Sequence, residues 1–325
     1  MKYTDRIYGE SKITEPMILE LINSQALQRL KGIDQAGYFE PHFPGTAHSR
    51  FEHSVGVYLL LKKYGAPIEE QIAGLIHDVS HSVFSHCIDY VSNVGSGKKH
   101  NHQDNIFDDF VKKSEIPEIL KKYNFDLDYI LDDKNFPLKE KDLPDLCADR
   151  IDYSLRTAVL FGDISNGKYF LDNLVAQDKK WIFKDFKSAK KYAKLFLKHN
   201  TNYYTGMPSA VMFQTVGDYL RYALSKKYII ESDLYTTDKI VLSKIEPNIK
   251  NDSHLKLLFY RMNNKIGFRN NPNNYDGMVF CKSRVVDPLC WHNGKIKRVS
   301  EIESSWVAIL KRESKPKQYF LKFDK

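Results

Sequence analysis

The sequence predicts a mainly α protein, a helical core followed by a small α+β C-terminal region containing a β-hairpin. Three observations carry that expectation. Apolar residues recur at helical spacing through most of the chain, as between Glu15 and Leu30, where Met17, Ile18, Leu21, Ile22, Leu27 and Leu30 form one stripe. Polar turns bearing Pro and Gly separate such stretches, notably PHFPGTAHSR from Pro41 to Arg50. Beyond about residue 245 the texture changes to β-branched and aromatic runs, MVFCKSRVVDPLCW, HNGKIKRVSEI and QYFLKF, around an Asn-Gly pair suited to a hairpin turn. The expected division is therefore a helical domain over residues 1–240 and a small α+β region over 241–325.

Taken in order, FEHSVGVYLLLKKYG resumes helical periodicity after the loop and stops at Gly65. IEEQIAGLIHDVSH follows Pro67 with two acids in its first turn, which suits a helix N-terminus. SNVGSGKKHNHQ has the composition of a loop, and NIFDDFVKK and PEILKKY read as short helices. DLPDLCADRIDYSLRTAVLFG reads as one long helix closed by Gly162. From Lys179 to His199, the apolar set Ile182, Phe186, Ala189, Ala193, Phe196 and Leu197 lies opposite a cationic face of Lys187, Lys190, Lys191, Lys194 and Lys198. That pattern predicts an amphipathic helix whose aromatics belong to the core. AVMFQTVGDYLRYAL reads as a further helix.

Composition excludes several classes. Hydrophobic residues make up 42% and charged residues 28% of 325, ordinary globular usage. Apolar runs such as Val55 to Leu61 are far too short to cross a bilayer, and MKYTDRIYGESK carries charges where a signal peptide is apolar. Cys87, Cys147, Cys281 and Cys290 stand far apart, so reduced thiols in a cytoplasmic protein are expected, none of them a ligand. Net charge is +8, divided as 19 Lys+Arg against 25 Asp+Glu (−6) in residues 1–162 and 30 against 16 (+14) in residues 163–325. A basic half attracts nucleotides, nucleic acid or an acidic partner by its long-range field. Scattered lysine that solvates helices is the simpler account, so nucleic acid is not the favoured partner.

Eight of the 11 histidines, at 42, 48, 53, 77, 81, 86, 100 and 102, lie within about sixty positions. A single buried histidine is usually a satisfied core residue. Here His53 and the His77–Asp78 pair fall on helices that are otherwise mostly apolar, and Asp149 adds a distant carboxylate at the start of a third. Imidazole with carboxylate suits Mn, Fe, Co, Ni or Zn, while Mg prefers oxygen alone. On a helix His77 and His81 share a face, as do Arg50 and His53, and as do Asp149, Asp152 and Tyr153. Cations, imidazoles and carboxylates so gathered fit phosphate ester hydrolysis. A metal lowers the pKa of bound water, Arg neutralises phosphate oxygens, and a protonated His assists the leaving group. A closed structural zinc site requires no such surplus as Arg50, His81 and His86.

The blocks GTAHSRFEHSVGV, GLIHDVSHSVFSH and CADRIDYSLR resemble the H…HD…D signature of the HD superfamily of metal-dependent phosphohydrolases, more narrowly its deoxynucleoside triphosphate triphosphohydrolase branch. With DRIYGE and ALQRLKGIDQAG the resemblance runs to about Gly162, the metal motifs lying within residues 48–157. It implies a divalent ion (Mn, Fe, Co, Ni, Zn or Mg) held by His53, His77, Asp78 and Asp149. It also implies phosphate contacts from Arg50 and from Arg150, a Lys in the best-known relatives. His81, His86 and His102 would line the phosphate pocket. His86, oriented by Asp89, is the expected general acid, with His102 its rival and His100 a rival for the place of His102. Tyr153 would face the sugar and Gln35 the nucleoside. Ala36 stands where the branch has a bulky apolar residue and Thr157 where it has an Asp, which leaves selectivity for deoxyribose open.

The expected function is hydrolysis of a (d)NTP to nucleoside and triphosphate. The alternatives are a phosphatase or phosphodiesterase acting on nucleoside monophosphates, cyclic nucleotides or dinucleotides, and a nucleic-acid-binding or nucleotide-sensing module. The expected partners are a nucleotide substrate, further copies of the chain in a homo-oligomer and a nucleotide activator, with no membrane.

Overall fold

The computed structural model describes residues 1–91 and 102–324, apart from the side chains of His102 and Asp104. It is mainly helical, with three small sheets. An antiparallel hairpin of β1 (Lys2–Asp5) and β2 (Gly9–Lys12) precedes α1 (Pro16–Asn23) and α2 (Gln25–Arg29). Next come α3 (Arg50–Lys63), α4 (Ile68–Ile76), α5 (His102–Lys112), α6 (Ile116–Lys122), α7 (Leu127–Leu131) and α8 (Ala148–Leu160). Then follow α9 (Lys168–Asp172), strands β3 (Leu174–Gln177) and β4 (Lys180–Phe183), and helices α10 (Phe186–His199), α11 (Met207–Ser225), α12 (Asp238–Ile245) and α13 (Ser253–Met262). The chain closes with β5 (Phe268–Asn270), β6 (Gly277–Cys281), β7 (Leu289–His292), β8 (Lys295–Arg298), α14 (Val299–Ile302), α15 (Ser305–Glu313) and β9 (Lys317–Phe323).

Helix α3 is the axis of the molecule. Its start is set by a capping box: Ser49 Oγ accepts from the Glu52 amide and the Glu52 carboxylate accepts from the Ser49 amide, both at 3.2 Å. The box fixes Arg50 at the first helical position, so that Arg50 and His53 lie on one face. Beyond them Val55, Val57, Tyr58, Leu60 and Leu61 are fully buried, the mark of a helix surrounded by protein. Tyr58 and Val55 pack toward α1, α2 and α4, while Val57, Leu60 and Leu61 pack toward α8, α10 and the sheet containing β4. A separate apolar cluster joins α11, α12 and α13 to the sheet of β5, β9 and β6.

The sheet ordered β3-β4-β7-β8 draws on distant parts of the chain. β4 and β7 pair in parallel, Ile182 beside Leu289 and Phe183 beside Cys290. β7 and β8 form the expected hairpin, with Asn293 (φ 49°) and Gly294 (φ 74°) both left-handed, as a two-residue type I′ turn requires.

Two expected helices differ from the observed ones. The stretch read as one helix from Asp142 is a loop as far as Cys147, and α8 begins at Ala148. Pro144 disfavours helical geometry at Leu143, and Arg150 takes the Lys141 and Asp145 carbonyls that a helix would use. Residues 179–185 are likewise not helical: Trp181, Ile182 and Phe183 form a buried strand, and α10 begins only after Asp185, whose carboxylate caps the Ser188 amide at 2.7 Å. Among the described residues no helix is long and apolar enough to cross a membrane.

Candidate active site

Helices α3 and α8 approach closely at Gly56. A Cβ there would lie 1.9 Å from Arg156 Nη2 and 2.2 Å from Asp152 Oδ1. Through that gap, buried Asp152 reaches His53, its Oδ2 2.8 Å from Nδ1. Asp152 is itself held by Arg156 Nε at 2.7 Å and by the Tyr8 hydroxyl at 2.8 Å, and Arg156 also pairs with Asp5 at 2.7 Å. At the C-terminal cap of α4, His77 Nδ1 lies 2.8 Å from the Gly74 carbonyl. A carbonyl only accepts, so the His77 proton sits on Nδ1 and Nε2 presents a lone pair. The same contact occupies a carbonyl of the last helical turn: α4 ends at Ile76, and His81 lies beyond the helix in the following turn. His81 still faces the site, its Nε2 3.3 Å from Asp78 Oδ1.

The Nε2 atoms of His53 and His77 are 3.2 Å apart, and Asp149 Oδ1 lies 2.9 Å from the first and 3.5 Å from the second. Donor atoms of His53, His77 and Asp149 all fall within 4.8 Å of one another. Asp78 adjoins them, Oδ1 3.4 Å from His77 Nε2 and Oδ2 3.8 Å from His53 Nε2, while Arg50 Nη1 donates to its Oδ2 at 2.6 Å. Burial disfavours charge on these groups, yet their mutual bonds prevail. Asp149 is held well below the usual carboxylate range by His53 and His77, and Asp78 by Arg50 and His77. Burial lowers the His53 pKa, but its bonds to Asp149 and Asp152 carry it up to about 9. Carboxylate oxygens and imidazole nitrogens thus converge on one buried point. Two imidazoles with carboxylates are a donor set for a borderline divalent metal ion, which is the cofactor this site fits. Glu140, Cys147 and Asp149 form a second close group, but Arg150 Nη2 lies 3.6 Å from Glu140 and already offsets its charge.

Beyond Asp78, the His81 and His86 rings meet edge to face at 5.4 Å. Burial, aided by Arg50, brings His81 down to about 4, and burial with Arg50, His81 and Arg284 holds His86 well below the ordinary range, so both are neutral. His86 Nδ1 is 3.7 Å from Asp89 Oδ2, too long for a hydrogen bond. The turn that presents His86 is strained, with Phe84 at φ 54° and Ser85 at φ 43°. Asp238 of α12 secures it, accepting from the Phe84 amide at 2.7 Å and the Asp34 amide at 2.9 Å. Despite those bonds, burial raises the Asp238 carboxyl to about 7.

Arg50 commits all three nitrogens within the protein, Nε to Ser85 Oγ, Nη1 to Asp78 and Nη2 to the Gln35 carbonyl. Arg150 caps the Lys141 and Asp145 carbonyls. Gln35 Oε1 and the Tyr153 hydroxyl are buried without a hydrogen-bond partner among the described residues. The Tyr153 ring lies 6.4 Å from that of His53 and 5.6 Å from that of Tyr204, whose hydroxyl donates to Thr157 Oγ1 at 3.1 Å. Ala36 is partly buried against the α11 cluster. His102 begins α5 with its side chain outside the described residues, as is the whole of His100. Sequence reasoning placed Asp152 on the site face with Asp149 and Tyr153 but did not foresee its bond to His53, and it gave no role to Asp238 or Arg284. An Asp and an Arg one turn apart on a largely apolar helix were the available signal for Asp152; Asp238, some 150 positions from the turn it secures, offered none.

A family model described as HD domain matches residues 50–157. The uncharacterized protein YdhJ of Bacillus subtilis is 35% identical over 298 residues, covering 91% of this chain and 90% of that one. The chain therefore belongs to the HD-domain family, the class of metal-dependent phosphohydrolases that its motifs resemble. The metal-dependent phosphohydrolase cns2 of Cordyceps militaris is 41% identical over 165 residues, 50% of this chain and 46% of its own. The mouse deoxynucleoside triphosphate triphosphohydrolase SAMHD1 is 33% identical over 141 residues, 37% of this chain and 21% of its own. The chain thus matches less than half the length of either named enzyme. A solved phosphohydrolase from Bacteroides thetaiotaomicron superposes with a TM-score of 0.75 over 100% of both chains at 17% identity, a likeness of fold.

Proposed function

We propose that this chain is a nucleotide phosphohydrolase that cleaves a (deoxy)nucleoside triphosphate to nucleoside and tripolyphosphate. The observation that carries the reading is the meeting of His53, His77 and Asp149 at one point, with Asp78, His81 and His86 ranged beside it. His53, His77, Asp78 and Asp149 would hold the metal. When bound, such a cation acidifies water and offsets charge at phosphorus. Asp152 keeps the Nδ1 proton on His53, and Arg50 keeps Asp78 ionised and aimed. His86 Nε2 delivers a proton to the departing oxygen. His86 is neutral in the free protein, and a phosphate chain beside it raises its proton affinity. Gln35 Oε1 and the Tyr153 hydroxyl, without a partner among the described residues, support a polar ligand on the nucleoside side, since buried polar atoms are normally satisfied. The triphosphate form is supported by the motif blocks and by the name of the mouse relative.

The test is a panel of dNTPs, NTPs, nucleoside monophosphates and cyclic nucleotides with Mn, Fe, Co, Ni, Zn and Mg, products resolved by anion exchange. Tripolyphosphate with free nucleoside is expected. Orthophosphate or a nucleoside monophosphate as sole product would replace this reading with a phosphatase or phosphodiesterase.

A further inference from the structure

A nucleoside triphosphate carries several negative charges, and the two arginines nearest the metal donors are already committed. Arg50 is matched by Asp78 at 2.6 Å, and Arg150 spends its terminal nitrogens on two carbonyls beside Glu140. A third guanidinium comes from outside the metal-binding helices. Arg284 lies on the segment between β6 and β7, half-buried, and among the described residues no carboxylate stands within 4.0 Å of it. Its side chain makes one hydrogen bond, from Nη1 to the Lys282 carbonyl at 3.3 Å in its own loop.

The segment is pinned at both ends to the walls of the pocket. On one side the Arg284 amide donates to Asn200 Oδ1 at 2.8 Å, and Asn200 Nδ2 donates to Ser283 Oγ at 3.0 Å. Asn200 opens the π-helical turn Asn200–Tyr204, which places Tyr204 against Tyr153 and Thr157. On the other side the Asp287 amide donates to the Pro144 carbonyl at 2.8 Å, and Arg298 ties the Asp287 carbonyl to the Asp145 carboxylate, in the loop that leads into Asp149. Residues 284–287 thus run from the Tyr204 turn to the start of α8. The Arg284 charge is felt at His86, Tyr153 and Tyr204, three residues expected or observed to line that space.

We infer that Arg284, without a counterion among the described residues, binds phosphate oxygens of the substrate, so that the C-terminal region supplies a substrate-binding residue to the helical domain. The inference rests on the reading of the site as one for phosphorylated nucleotides. It adds a residue that the metal motifs do not contain. A guanidinium offers planar paired donors to phosphate, which an ammonium does not reproduce.

The test compares the full-length protein with Arg284→Gln, Arg284→Ala and Arg284→Lys, using inorganic tripolyphosphate as the probe in calorimetric titrations with bound metal present. Metal content and thermal melting serve as controls. Removal of the guanidinium should weaken tripolyphosphate binding at least tenfold, with metal content unchanged and partial recovery in Arg284→Lys. For whichever phosphorylated nucleotide is turned over, KM should rise by a similar factor with a smaller change in kcat. Should alanine loosen the segment, Arg284→Gln, which keeps a polar amide and most of the aliphatic stem, carries the comparison. Tripolyphosphate binding unchanged in a folded Arg284→Gln, or absent from the parent protein, would overturn the inference even if nucleotide hydrolysis stands. Loss of binding without triphosphate turnover would sustain it and discard the triphosphohydrolase reading instead.

Discussion

On the side of the pocket built by α3, α4 and the first turn of α8, polar side chains are bonded to one another in chains: Asp5 to Arg156 to Asp152 to His53, and Gln35 carbonyl to Arg50 to Asp78. On the side that faces Tyr204 and the 283–287 segment, the Tyr153 hydroxyl has no partner and Arg284 has no counterion among the described residues. The first side is organised before any ligand arrives. The second holds groups whose partners must come from outside. Preorganisation belongs where charge must be placed accurately on an ion, and open valence belongs where a substrate is to be recognised.

The largest expected effect comes from cutting into the organised side at its centre. Asp149→Ala should lose most of the metal and all measurable turnover, read by atomic absorption and product release. Near-normal hydrolysis by that variant would remove Asp149 from the ligand set. His86→Ala should keep its metal and slow the reaction by about 10²–10⁴-fold, most for the poorest leaving groups. An unchanged rate would move the acid role to His102.

Asp152→Asn should cost about 10–100-fold in metal affinity or activity, because the amide no longer draws the Nδ1 proton of His53 as a carboxylate does. Gly56→Ala should fall in the same direction by displacing Asp152 and Arg156. Normal metal affinity in both would show that the Asp152 bond serves stability alone.

The smallest effect is a change of slope. Asp238 has its carboxyl raised to about 7 against an ordinary value of 3.8, so the unfolded chain ionises first as pH rises. Its contribution to stability is fully present below pH 4 and is lost as pH climbs through 7. Asp238→Asn lowers absolute stability by breaking one backbone contact, but its urea-unfolding free energy should decline less than that of the parent between pH 4.5 and 7.5. Parallel profiles would mean that Asp238 is ionised throughout.

His53 and Asp149 were legible as candidates in sequence because each falls on a helix rich in apolar residues, where they stand out beside Val55, Leu60 and Ile151. The β7–β8 hairpin was legible because Asn293 and Gly294 satisfy a local backbone requirement. The strand Lys180–Phe183 was not, because Trp181, Ile182 and Phe183 read equally as part of the amphipathic helix that follows, and its parallel partner lies more than a hundred residues away. Separations of 84 and 154 residues from their partners hid Arg284 and Asp238, whose surroundings are assembled by tertiary packing rather than by spacing along one element.

The parallel pairing of Phe183 with Cys290 also has a temporal side. As the chain emerges from the ribosome, β3 and β4 can close their hairpin at once, but the other edge of β4 must wait for about 107 further residues. At ~5–20 residues per second that delay is on the order of 5 to 20 s. Through that interval an apolar strand edge stands open to other nascent chains. The cost of that opening scales with the time the ribosome takes to reach β7, so slower synthesis lengthens the exposure.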